Sequence, residues 1–265
     1  MGVVWRNANT IGGLRPPVST SAANGLWDLY HFSALKNLNI WPQQIVTSGL
    51  VLLFDPAVIE SYSGSGSSIL DISGTGSTGT LLNNPTYSSS NGGFFTLNGS
   101  NQYINSNHTT NLGQFLSFGI WCRPTAVGQA NGSDVIVKNY ASTAPFASWG
   151  VDFLSDRTFR FYVSDGSTFG FVLSAAQTLN NWYHVFATYN NRVLRGYING
   201  QFVGTRTSAN NILYNSLSAS IGVNTTSPAS NYFVGSVAQT QIYNRTLSDA
   251  EVLQNFNALR NRYGV

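Results

Sequence analysis

The sequence predicts an all-β fold, a two-sheet antiparallel sandwich, and three observations predict it. Charged residues make up only 9% of the 265 residues while glycine alone contributes 26, a balance that favours short strands and turns over helices rich in Glu and Lys. Residues 182–207 read WYHVFATYNNRVLRGYINGQFVGTRT. Three β-rich runs (183–189, 192–198 and 201–207) are separated there by Asn190-Asn191 and Asn199-Gly200, pairs that suit hairpin turns with positive φ at both central positions. Comparable runs recur along residues 49–243 at roughly eight-to-twelve-residue spacing, the signature of a sandwich.

In order, residues 1–47 differ from the rest. Gly12-Gly13, Pro16-Pro17 and a Ser/Thr/Ala run to Ala23 read as an extended arm with little core of its own. From Asn24, a candidate N-cap, Trp27, Tyr30, Ala34 and Leu38 fall at helical spacing and predict a short helix ending before Trp41-Pro42. Four large aromatics within fifteen residues exceed what so short an element buries in itself. Two readings stand: these rings pack on their own sandwich, or Trp27, Tyr30 and Trp41 dock onto another protein.

The sandwich domain is expected over residues 48–265. Gly49-Leu-Val-Leu-Leu-Phe54 is a buried strand stopped by Asp55-Pro56. Gly/Ser-rich stretches at 63–68 and 73–78 bracket a short strand or turn at Ile69–Ile72. Strands are expected at 79–83, 93–97, 103–104, 115–123, 135–137, 148–153, 158–163, 169–173, 219–223 and 232–243. Within 183–189, Tyr183, Val185, Ala187 and Tyr189 share one face and His184, Phe186 and Thr188 the other. Ser248-Asp-Ala-Glu251 is a capping box. Val252, Phe256, Leu259 and Tyr263 then form an apolar helical stripe, expected against the edge of the sandwich.

Bulk properties exclude several classes. The formal charge of +3 comes from thirteen basic residues, which no window gathers into a stripe, so a nucleic-acid partner is not implied. The single cysteine, Cys122, excludes an intrachain disulfide framework. The N-terminus lacks a secretory pattern, and no run reaches the roughly 20 apolar residues of a membrane helix. Synthesis in a cytoplasm is the expectation.

Several pieces carry a resemblance: Gly49–Asp55, Leu70-Asp71-Ile72-Ser73-Gly74, Phe94 to Gly99 with Tyr103, Phe118-x-x-Trp121, the 182–207 meander, Phe233-x-Gly235, and Ile242-Tyr243-Asn244-Arg245-x-Leu247-Ser248-x-Ala250-Glu251. Their order resembles the laminin-G-like, concanavalin A-like domain. The resemblance implies a jelly roll whose usual work is binding glycans or proteins. Pro17-Val-Ser-Thr-Ser-Ala-Ala-x-Gly25-Leu-Trp27-Asp-Leu29, followed by Trp41-Pro42, resembles a leader of tailed-bacteriophage virion structural proteins. That implies a virion component, made in the host cytoplasm, whose arm docks on capsid or tail proteins, with a homotrimer as the expected assembly. The alternative is a lectin-like module with no structural role.

Hydrolase chemistry needs paired carboxylates, and Glu60 and Glu251 are the only glutamates. Glu251 belongs to the capping box. The closely spaced acids of related glycosidases, such as Glu-x-Asp-x-x-Glu, have no counterpart, so no catalytic residues are assigned; a carboxylate pair here requires acids from distant segments to converge. His184 on a mid-sheet strand reads as a packed, hydrogen-bonded residue, and His31 and His108 lack metal-ligand spacing. The resemblance implies Ca²⁺ at a sandwich rim in many members. Asp134, Asp152, Asp156 and Asp165 lie in or beside loops without forming an Asp-x-Asp-x-Asp cluster; the candidate ligands are Asp134 and Asp156, although turn-forming loop acids are the simpler reading. For a glycan the candidates are Tyr140, Trp149 and Tyr232, aromatic rings beside amides and hydroxyls, against the simpler reading that they pack in the core or an interface.

Overall fold

The computed structural model describes residues 44–129, 132–138, 147–225 and 230–265. The predicted helix at 24–38, Trp27, Tyr30, Trp41 and Tyr140 lie outside these residues. In chain order the strands are β1 (Leu50–Phe54), β2 (Ser68–Leu70), β3 (Thr78–Leu82), β4 (Thr86–Ser88), β5 (Phe94–Asn98) and β6 (Tyr103–Asn105). Next come β7 (Phe115–Pro124), β8 (Ser133–Lys138), β9 (Trp149–Phe153), β10 (Phe159–Ser164) and β11 (Phe169–Leu173). The meander is β12 (Tyr183–Asn190), β13 (Val193–Ile198) and β14 (Gln201–Thr207), followed by β15 (Ala219–Ile221), β16 (Val234–Tyr243) and the helix α1 (Asp249–Tyr263).

Two antiparallel sheets face each other. The first has the order β14-β13-β12-β7-β16-β5-β4, with β1 also paired to β16; the second runs β11-β10-β9-β8-β15-β6-β3-β2. Both are expected from alternation, because each strand has one apolar face to bury and the two faces cover one another. Leu116, Phe118, Ile120 and Cys122 of β7 meet Trp149, Val151, Phe153, Phe159 and Phe161 across this interior. The strand missed by pattern is β4, whose Thr86-Tyr87-Ser88 follows Pro85 and carries little apolar signal.

The Asn199-Gly200 turn has φ of 51° and 73° as expected. The other turn is one residue later than expected: Asn190 remains in β12 paired with Val193, and Asn191 and Arg192 carry the positive φ, at 41° and 78°. The strand continues because Asn190 also pairs with Phe115 of β7.

The helix does not lie at the edge. It covers the outer face of the first sheet, where Trp121, His184 and Phe186 point away from the sandwich interior and need cover of their own. Phe256 stacks on Trp121 at 5.8 Å, Tyr263 lies on Trp121 at 4.3 Å, and Val252 packs with Phe186 and Tyr243. The capping box forms as expected: the Glu251 amide donates to Ser248 Oγ at 3.3 Å, and the Ser248 amide donates to Glu251 Oε2 at 2.9 Å. This packing reaches back into the expected arm. The Val46 amide donates to Asn255 Oδ1 at 2.8 Å, and Tyr243 donates its hydroxyl to the Val46 carbonyl at 2.8 Å.

Candidate functional site

The acids and aromatics singled out in the sequence do not form one site. Trp149 is a correction: it is fully buried and tilts onto Phe118 at 4.4 Å, so it offers no ring face to a sugar. It alternates in phase with Val151 and Phe153, whose side chains fill the same interior. Tyr232 is half-buried at a rim, with its ring 6.5 Å from that of Tyr103. Asp156 is exposed and accepts from the Thr158 amide at 2.9 Å and the Thr158 hydroxyl at 2.8 Å, which holds its carboxyl below the usual range and makes it a turn residue. Among the described residues no three His, Cys, Asp or Glu side chains converge as metal ligands.

Asp134 is buried instead of standing in a loop. It lies opposite Asp152 in the β8–β9 ladder, and both are 2% exposed. Tyr162 donates to Asp134 at 3.1 Å, and Arg160 donates to both oxygens of Asp152, through Nε at 3.1 Å and through a second nitrogen. Burial, then the neighbouring Asp152, raises the Asp134 carboxyl well above the ordinary range; burial also raises Asp152, with Arg160 opposing it. Two acids from distant segments thus converge. Arg160 and Tyr162 engage three of their four oxygens, and Asp134 Oδ2 is buried with no partner among the described residues; the arrangement ties three strands together and, withdrawn from solvent, does not suit attack on a glycosidic bond.

His184 is packed as expected, but its ring is not hydrogen-bonded. It lies against Trp121 at 5.1 Å, and neither ring nitrogen has a partner among the described residues. Burial lowers its pKa to about 3, so the ring is neutral.

The arrangement best suited to a ligand lies where the edge strands β11 and β14 approach each other. A cleft of about 150 Å³ is lined by residues that include Asp165, Thr168, Phe169, Gly170, Arg206, Ser208 and Asn210. That volume is below the roughly 300–1,000 Å³ of pockets for drug-sized ligands and suits one ring-sized group. Phe169 is 39% exposed, and Phe171 and Leu173 follow it on the same outward face of β11. Gly170 keeps the cleft open, since a Cβ there would stand 2.4 Å from Ser208 Oγ. Ser208 Oγ is buried with no partner among the described residues.

Asp165 shapes the loop. Its oxygens accept from the amides of Ser167 at 3.1 Å and Thr168 at 2.7 Å, the Thr168 hydroxyl at 2.9 Å and Asn210 Nδ2 at 2.8 Å. These donors, Asn210 first, hold its carboxyl far below the usual carboxylate range. Sequence reading passed over this cleft. The available signal was the parity of β11, where Phe169, Phe171 and Leu173 alternate with Gly170 and Val172, yet nothing local says which face meets solvent.

Comparison with known proteins adds a family and a fold. A family model described as the concanavalin A-like lectin/glucanases superfamily matches residues 98–253, more than half of the chain. Among solved structures, the binding domain of Paraclostridial Mosquitocidal Protein 1 superposes with a TM-score of 0.63 at 17% identity, covering 81% of this chain and 53% of that one. The receptor binding domain of botulinum neurotoxin type G gives 0.60 at 16% identity, covering 78% and 51%. The binding domain of botulinum neurotoxin DC, in complex with SialylT, gives 0.63 at 15% identity, covering 81% and 52%. The chain spans about half the length of these structures, and at such identities the likeness is one of fold. No curated protein matches the chain.

Proposed function

The chain belongs to the concanavalin A-like lectin/glucanases superfamily, and from that premise we propose that its sandwich binds carbohydrate in the cleft beside Phe169. The observation that carries this reading is the cleft itself: a space of about 150 Å³ whose lining includes the partly exposed aromatic residue Phe169 together with Ser208, Asn210 and Arg206. A sugar ring presents one apolar face and a rim of hydroxyls, and such a lining answers both. The similar toxin structures are binding domains, one of them named a receptor binding domain and one solved with SialylT, which supports binding over catalysis.

We further propose that the sandwich is carried on a tailed-bacteriophage particle, as a trimer, through the aromatic arm. The support is the arm's composition and its resemblance to a virion leader, with Trp27, Tyr30 and Trp41 as the docking residues. A free lectin, calcium-dependent or not, is the alternative.

A glycan array probed with the full-length protein, with and without Ca²⁺, tests the first reading. Binding that Phe169→Ala abolishes without loss of melting temperature supports it; no binding to any glycan overturns it. Co-sedimentation with empty capsids and with isolated tails tests the second, using the full chain and its Trp27→Ala/Tyr30→Ala/Trp41→Ala variant. Equal sedimentation of both, or of neither, removes the arm from the account. Light scattering of the same protein reads the trimer directly.

A further inference from the structure

We infer that the cleft selects an anionic sugar, with Arg206 holding its acidic oxygens. The inference rests on the carbohydrate-binding reading above. Arg206 lies near the end of β14, directly across from Gly170 of β11: a Cβ built on that glycine would stand 3.6 Å from Arg206 Cγ. The Arg206 side chain is exposed and has no hydrogen bond or ion pair among the described residues. Four other arginines are held by acids, Arg160 by Asp152, Arg195 by Asp249, Arg245 by Glu251 and Arg262 by Asp55. The acid in the same cleft, Asp165, is instead taken up by its own loop: the amides and hydroxyls of Ser167 and Thr168 and the amide of Asn210 occupy its oxygens. An ionised carboxylate has about four lone-pair sites, so little of that charge is left to answer a guanidinium.

The cleft therefore holds one uncommitted fork of donors. A guanidinium fork matches a carboxylate or sulfate with two parallel N–H bonds, and the match is worth more than a hydroxyl contact. Arg192 stands at the same rim, donating one N–H to the Ala209 carbonyl at 3.0 Å, and adds positive charge rather than cancelling it. Ser208 and Asn210 line the cleft with Arg206 and offer polar groups to the neutral part of a sugar, and Phe169, also in the lining, offers apolar surface at its rim. A bare inorganic anion would use only the arginine.

The test is titration calorimetry of the full-length protein with four probes: N-acetylneuraminic acid, its methyl ester, a sulfated monosaccharide and inorganic sulfate. The acid sugar is expected to bind at least tenfold more tightly than its ester. Arg206→Ala should remove that preference, Arg206→Lys should keep part of it, and Arg157→Ala, in the turn that precedes β10, should leave it intact. Tighter binding of the sulfated sugar, lost equally in Arg206→Ala, supports the inference with sulfate as the anionic group. Inorganic sulfate binding as tightly as either sugar overturns it, as does an unchanged preference in Arg206→Ala. If acid and ester bind alike, the anionic inference fails while carbohydrate binding stands. If none of the probes binds and a glycan array is also blank, the underlying reading fails and the inference with it.

Discussion

Asp55, at the end of β1, and Arg262, in the last turn of α1, are 207 residues apart in sequence and joined by two hydrogen bonds of 2.8 and 3.0 Å. Gln239 of β16 completes the set by donating to Asp55 at 2.8 Å. The carboxylate is 2% exposed, so the first strand, the last strand and the helix share a single buried charge. The Asp-Pro that reads as a strand stop is thereby also the anchor of the C-terminal helix.

Removing one member of such a pair leaves the other buried and unpaired, which costs roughly 3–5 kcal/mol. Arg262→Met is therefore expected to lower the melting temperature by on the order of 10 °C. Asp55→Asn/Arg262→Met, which removes both charges, should recover part of the loss. A double variant no more stable than Arg262→Met would show that the charge is not what matters. Calorimetric scans of the two variants read this directly.

His184 makes folding sensitive to acid. Burial lowers its pKa to about 3, below the roughly 6.5 of an unfolded histidine. Between those values the unfolded chain binds a proton that the folded chain refuses, so stability falls as pH drops, by about 1.4 kcal/mol per unit. His184→Phe keeps an aromatic ring against Trp121 and Phe256 and does not titrate. Its urea midpoint should gain on the natural protein by the equivalent of about 2 kcal/mol between pH 7 and pH 5; an unchanged gap would mean His184 is protonated in the folded state.

Asp134 has the opposite sign. Its folded pKa is raised above the unfolded value by burial and by Asp152, so its contribution is fully present below the ordinary carboxylate range and is lost as pH rises towards the raised value. Asp134→Asn resembles the protonated acid at every pH. Relative to the natural protein it should become steadily more stable from pH 4 to pH 7, by at most about 1.4 kcal/mol per unit. A constant difference across that range would place the proton elsewhere in the Asp134–Asp152 pair.

Trp149→Ala separates a core role from a ligand role. The ring is fully buried on Phe118, and truncating such a side chain costs roughly 3–5 kcal/mol. A large fall in melting temperature is expected, whereas Phe169→Ala, at an exposed position, should leave it within a degree or two. A thermally unchanged Trp149→Ala would return that ring to the surface.

The strand positions, the Asn199-Gly200 turn and the Ser248–Glu251 cap were legible because each depends on neighbours within a few residues: a period of two, a pair that tolerates positive φ, a hydroxyl three residues from an amide. Even there the Asn191-Arg192 turn slipped by one residue, since pairing with Phe115 across the sheet carried the strand on through Asn190. The sites were less legible. Asp134 read as a loop acid until Asp152, eighteen residues on, was placed opposite it, and Trp149 read as a sugar platform until the second sheet covered it.

By itself, then, the sequence determined the all-β class, the order of the strands, the capped C-terminal helix and the shortage of acids that argues against hydrolysis. Only the tertiary structure decided which apolar face of each strand is interior and which lies under the helix, because alternation marks two faces without saying what covers them. It also decided that Phe169, Arg206, Ser208 and Asn210 share one cleft. Those residues come from two edge strands and the segment that follows one of them, and sandwich closure rather than any local spacing brings them together.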